Sequence, residues 1–143
     1  MKWIMPIVAG LFIVFASGST AAGDFEIAVT VSDIREASGR IAVGLFRRPD
    51  TFPDMGRQHK GAFIDISGEA VMHTFTGMPA GTYAIAVYHD INDNQKLDTN
   101  FMKIPKEPYG FSQGAKPRFG PPKFEDAAFV VNTDHKAAIV LRH

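Results

Sequence analysis

Cysteine is absent from the 143 residues. That excludes a disulfide framework, thiol catalysis and a lipid-modified cysteine. It leaves the compartment open, because a fold can also stand without staples in an oxidising space. Net charge is absent too, with 15 basic residues balancing 15 acidic ones. So balanced a chain has neither the basic footprint of a nucleic-acid binder nor a polyanionic tail, and nucleic acid is not expected as a partner. Internal repeats, low-complexity segments and a helical period beyond residue 23 are also missing. The histidines His59, His73, His89, His135 and His143 are scattered, with no close pair at metal-ligand spacing.

The one long uncharged run stands at the start. Lys2 precedes Trp3 to Gly23, which is densely apolar to Phe15 and then small, Ala16-Ser17-Gly18-Ser19-Thr20-Ala21-Ala22. Basic, apolar, small is the order of a secretory signal peptide, with cleavage expected after Ala22, or after Ala21 as second choice. The dense part is about 13 residues, short of the roughly 20 that span a bilayer. A retained anchor is the rival reading, and only such an uncut segment is expected to touch a membrane. Residues 1–22 are thus read as a helical signal segment and 23–143 as one domain, periplasmic or secreted. About 121 residues are enough to bury roughly two thirds of the unfolded surface.

Period-two alternation runs through that domain. Phe25, Ile27, Val29 and Val31 alternate with polar or small residues, and Ile41, Val43 and Leu45 repeat the pattern after a polar turn at Asp33–Gly39. These predict two strands paired as a hairpin. Further strands are expected at Ala62–Ile66, Ala70–Thr76, Thr82–His89, Asp126–Asn132 and Lys136–Arg142. The expected fold is all-β, a single antiparallel β-sandwich of about seven strands. One long connection, from Asp90 to about Phe124, interrupts it; a loop of that length is either functional or packed as a cap.

The sharpest motif opens that connection. Met78-Pro79-Ala80-Gly81 is a tight turn, Thr82–His89 reads as a strand, and an acidic loop follows. Counted from Asp90, oxygen-bearing side chains fall at positions 1, 3, 5 and 9 (Asp90, Asn92, Asn94 and Asp98), and Lys96 at position 7 offers its carbonyl. Such spacing partly matches a calcium loop. Gln95 stands where the sharp turn favours Gly, and Phe101 where a bidentate Glu is wanted; no flanking helices are predicted, so an EF-hand is rejected, and with few carboxylates any Ca2+ affinity should be weak. The competing reading is that these Asp and Asn side chains only cap a tight turn.

Other motifs carry less. Gly110-Phe111-Ser112-Gln113-Gly114 has the form of an esterase nucleophile elbow, and Asp126 and His135 follow in serine, acid, histidine order. The elbow needs a helix after the serine, which Pro117, Pro121 and Pro122 oppose. His89 shares the parity of Tyr83, Ile85 and Val87 and reads as an inward-facing structural histidine. Phe101, Tyr109, Phe111, Phe119 and Phe124, with Arg118 and several Lys, form either a glycan or small-ligand platform or a satellite cluster folded onto the sandwich. Glu125 and Asp126 are adjacent, so in a strand they would point to opposite faces and make a poor acid/base pair.

The stretch from Gly81-Thr82-Tyr83 through His89-Asp90, Tyr109-Gly110-Phe111-Ser112 and Phe119-Gly120-Pro121-Pro122 to Phe129 resembles a family of exported bacterial proteins, the domain of unknown function 2141. The resemblance implies a periplasmic or secreted bacterial protein with no established activity. The turn, strand and acidic loop are also similar to prealbumin-like and collagen-adhesin B-type sandwich modules, some of which hold calcium. Family members often carry Gly at the position of Gln95. Together these readings predict a non-enzymatic binding or structural module with a weak calcium loop. The alternatives are a carbohydrate-active or other hydrolase using His89, Asp90 and the Ser112 region, or a glycan- or envelope-binding module using the aromatic connection.

Overall fold

The structure is a computed structural model that describes residues 25–143; the expected signal segment and its helix lie outside them. The described residues form eight strands: β1 (Phe25–Ser32), β2 (Arg40–Phe46), β3 (Lys60–Asp65), β4 (Ala70–Met78), β5 (Gly81–Asp90), β6 (Tyr109–Phe111), β7 (Phe129–Val131) and β8 (His135–Val140). One helical turn, α1 (Phe124–Ala127), precedes β7. The strands build two sheets. One runs in the order β4-β1-β8; the other runs β3-β2-β5-β6, with β7 also paired to β5.

The alternation read from β1 holds. Ile27, Val29 and Val31 are buried while their neighbours are not, and they meet Ile41, Val43, Leu45, Ile85 and Val87 of the other sheet in one apolar cluster. Strand β5 departs from simple alternation, because every residue from Tyr83 to Asp90 is buried. Its Tyr83, Ile85 and Val87 face the core between the sheets. Its Ala84 and Ala86 face outward into a second cluster with Phe46, Phe52, Ala115, Phe124 and Ala127. The long connection therefore covers the outer face of β5, and α1 offers Phe124 and Ala127, three apart on one side of a turn, to that cover.

Four expectations are corrected. β1 and β2 are not a hairpin, because they lie in different sheets. After β1 the chain keeps to its own sheet, where the buried Ile34 donates its N–H to the Glu69 carbonyl at 3.0 Å. The arrangement is not wholly antiparallel, since β8 runs parallel to β1, from Ile27↔His135 to Ser32↔Val140. The preceding turn explains this. Asp134 accepts the Glu26 N–H at 2.9 Å, so β8 starts at the end where β1 starts. An eighth strand, β6, lies within the long connection. Asp126 belongs to α1 rather than to a strand, and the sixth expected strand contracts to Phe129–Val131.

Strands β6 and β7 share one edge of β5 in succession, pairing with Ala86–Tyr88 and Gly81–Tyr83 respectively. Between them the buried Ser112 fills the missing rung. Its Oγ accepts the Ile85 N–H at 2.9 Å and donates to the Ala127 carbonyl at 2.6 Å. Gly110 in β6 lies so close to the last strand that a Cβ there would stand 2.7 Å from Ile139 Cγ2.

Candidate functional site

β5 delivers Asp90, fully buried, to the start of the acidic loop. Its carboxylate becomes the hub of the turn. Oδ1 accepts the Asn94 N–H at 3.1 Å and Oδ2 the Gln95 N–H at 2.7 Å. Asp93 and Gln95 take left-handed backbone angles, φ 53° and 64°, which wrap the chain around that carboxylate. A left-handed residue costs about 1–2 kcal/mol without glycine, and the hydrogen bonds to Asp90 offset it. Asn92 Oδ1 accepts the Asn94 N–H at 3.3 Å and Asn94 Oδ1 the Lys96 N–H at 3.0 Å. The five residues singled out from the sequence, Asp90, Asn92, Asn94, Lys96 and Asp98, are thus brought into one hydrogen-bonded turn.

Asp98 closes the ring. The side-chain amides of Asn92 and Asn94 donate to its Oδ2 and Oδ1 at 2.6 and 2.8 Å. These donors, Asn94 first and then Asn92, hold the Asp98 carboxyl below its ordinary value by stabilising the charged form. The two amides supply the positive ends that a cation would supply. Each side-chain oxygen has a second lone pair free for a metal once the amides turn aside. Such a set of carboxylate, amide and carbonyl oxygens suits a hard cation. Among the described residues no three His, Cys, Asp or Glu side chains converge as a metal group. A bound ion would therefore rest on Asp90 and Asp98 plus neutral oxygens.

Glu107 was missed by sequence reasoning. It is buried, and its carboxylate accepts the Ile91 N–H at 2.7 Å and the Asp98 N–H at 2.9 Å. It ties the start of the loop to its end. The available signal was an isolated acid in a stretch otherwise rich in Lys and Arg. The segment before β2 supports the other side. His89 Nε2 donates to the Ser38 carbonyl at 2.6 Å, and the Arg40 guanidinium meets Asp93 Oδ1 at 2.9 Å. Gly39, at φ 76°, lies against the Asp90 carbonyl so tightly that a Cβ would overlap it. His89 is thus the buried, backbone-bonded histidine that its parity suggested. On the same strand, burial, followed by the charges of Asp90, Glu107 and Asp98, pushes the Tyr88 phenol up to about 12.

The serine constellation does not assemble. Ser112 is engaged with backbone as described, Asp126 Oδ2 accepts the Lys123 N–H at 3.1 Å, and the His135 ring stacks on Phe129 at 4.3 Å between centroids. The aromatic connection divides in two. Phe111 and Phe124 pack edge-to-face on Phe52 at 6.0 and 5.9 Å, as the satellite-cluster reading expected. Phe101 and Phe119 stand fully in solvent. Beside the loop, a cleft of about 750 Å³ has Gln95, Lys96 and Leu97 on one wall and Pro53, Met55 and Gln58 among its other lining residues.

Two sheets around an apolar core, with an acidic loop hung from a doubly buried strand, define the class as a β-sandwich-like module. The sequence profile of a family described as an uncharacterized protein conserved in bacteria, the domain of unknown function 2141, matches residues 29–139, and the chain belongs to that family. Comparison with curated proteins and with solved structures gave no match.

Proposed function

We propose that this is an exported, non-enzymatic bacterial module in which the loop from Asp90 to Asp98 binds Ca2+ weakly and thereby fixes one end of the long connection. Residues 1–22 direct export to the periplasm or beyond and are removed after Ala22. The observation that carries the calcium reading is the loop backbone. Asp93 and Gln95 already hold left-handed angles around the Asp90 carboxylate, and Asn92, Asn94 and Asp98 face one another across the turn. A loop pre-shaped in this way pays little ordering entropy when an ion enters. Two carboxylates among neutral oxygens favour the weak, extracellular range of affinity, roughly 10⁻⁴–10⁻³ M. The cleft beside Gln95, Lys96 and Leu97 gives a binding module a place for a small ligand such as a glycan.

Thermal unfolding in EDTA and in millimolar CaCl2 tests the reading. An ion at about ten times its dissociation constant stabilises by about 1.4 kcal/mol, several degrees for a domain of this size. The shift should vanish in Asp98→Ala, whose side chain is half-buried, and in Asp90→Ala. An unfolding curve indifferent to calcium in the unmodified protein returns the loop to a turn capped by its own side chains.

A further inference from the structure

We propose that the long connection docks the protein on an anionic phospholipid surface, through apolar tips at Phe101 and Phe119. The inference does not depend on the loop holding a cation. Its first support is exposure. Phe101 is 96% and Phe119 114% exposed, and Met102 and Ile104 beside Phe101 are 66% and 53% exposed. Water-facing phenylalanines at loop tips that the fold does not cover are unlike the half-buried aromatics elsewhere in the connection.

The second support is the shape and backbone chemistry of the first tip. Thr99 and Pro105 form an antiparallel bridge, and Asn100 turns the chain between them. Asn100 Oδ1 accepts the N–H groups of Met102 and Ile104 at 2.9 and 3.1 Å, and its carbonyl accepts the Lys103 N–H at 2.9 Å. Three successive amides are thereby satisfied inside the tip. A segment entering the apolar edge of a bilayer must satisfy its amides in this way, because hydrocarbon offers no partner.

Charge supplies the third support and selects the lipid. The whole chain is neutral, yet residues 99–123 carry Lys103, Lys106, Lys116, Arg118 and Lys123 against a single acid, Glu107. That acid is buried and bonded to backbone, so within residues 99–123 only cations face solvent, while the acids of the loop, Asp93 and Asp98, lie before that stretch. Lys103 lies within the first tip and Lys106 directly after it, and Arg118 stands next to Phe119, where the Arg118 N–H donates to the Gly120 carbonyl at 3.0 Å. Apolar tips beside cations match a surface with an apolar interior and phosphate headgroups. The long stems of Lys and Arg lie along the tip while their charges reach the phosphates.

The chain contains no cysteine, so Met102→Cys or Phe119→Cys in the full chain gives one attachment point for a polarity-sensitive dye. Thr133→Cys, in the turn before β8, is the control. Vesicles of phosphatidylcholine alone and mixed with phosphatidylglycerol are the probes. Emission from positions 102 and 119 should shift to the blue with the mixed vesicles only, and position 133 should not change. In co-sedimentation of the unlabelled protein, each lysine removed should weaken partitioning about fivefold. Lys103→Gln with Lys106→Gln should therefore lose roughly 25-fold, and Phe101→Ser about tenfold. These side chains support no core, so the variants keep the wild-type unfolding curve. Unshifted dye at 102 and 119, an equal shift at 133, or partitioning unchanged in the variants overturns the proposal. So does capture of a protein or glycan by these tips with no vesicle binding.

Discussion

The Glu107 carboxylate accepts the Ile91 amide at 2.7 Å across sixteen residues, and with its other oxygen it takes the Asp98 amide. One buried side chain thus holds both ends of the acidic loop. Its removal leaves two part-buried amides without their acceptor. Glu107→Ala is expected to cost about 2–3 kcal/mol in urea unfolding, the range for hydrogen bonds to a charged group whose partners are left buried. Glu107→Gln, which keeps one acceptor oxygen, should cost roughly half as much. Equal stability of all three proteins would show that the loop closes without this clamp.

Gly39 faces the backbone of Asp90 at φ 76°, and a Cβ would overlap the Asp90 carbonyl. Gly39→Ala combines that collision with a left-handed backbone that side chains disfavour. A loss on the order of 3 kcal/mol is expected. Amide hydrogen exchange should locate the damage in the acidic loop and the end of β5 rather than in the β4-β1-β8 sheet.

Ser112 links Ile85 of β5 to Ala127 of α1 through one hydroxyl. Ser112→Ala removes both bonds and leaves the Ile85 N–H without its partner, at a cost of about 1–3 kcal/mol by thermal or urea unfolding. The serine of a G-x-S-x-G pattern thus acts as a rung between β6 and β7. Gly110 fits the same account, since its bare Cα lets β6 approach Ile139 and Val140.

Tyr88 carries a pH dependence of definite sign. Its phenol is pushed up to about 12, by burial first and then by the charges of Asp90, Glu107 and Asp98. Because the folded value is raised, the stability that Tyr88 contributes is complete below pH 10, the ordinary phenol value. It declines as pH climbs from there toward 12, where the unfolded chain has released its proton and the folded chain has not. Phenolate absorbance measured against Tyr88→Phe should place this group near 12 in EDTA. In Asp90→Asn, which removes one of the three charges, the transition should move to lower pH.

Much of the frame was legible because alternation is local. Ile27, Val29 and Val31, and likewise Ile41, Val43 and Leu45, announce strands whose one face meets a core. Strand direction and sheet membership were not legible. Nothing within Lys136–Val140 says that it runs beside β1 in parallel; the Asp134 bond to Glu26 and the crossing from β7 decide that. β6 has three residues and exists only because the edge of β5 is there to pair with it. The sequence pattern puts Asp126 and Ala127 at the start of a strand, yet they belong to a helical turn because Phe124 and Ala127 bury together against Ala84 and Ala86.

The acidic loop divides in the same way. Oxygen side chains at spacing two are a covalent property of the sequence, so Asp90, Asn92, Asn94 and Asp98 could be named without coordinates. That Gln95 accepts a left-handed angle could not be, since its backbone alone disfavours that state and the Asp90 carboxylate supplies the reason. Glu107, Gly39 and Ser38 reach the loop from distant positions, and only the fold brings them there. The β character, the position of the loop and the family are legible in the order of residues alone, because they follow from local period and from a fixed succession of residue types. Tertiary structure decided which strands pair, what clamps the loop and which aromatics stay in water, because each depends on burial against partners far away in the chain.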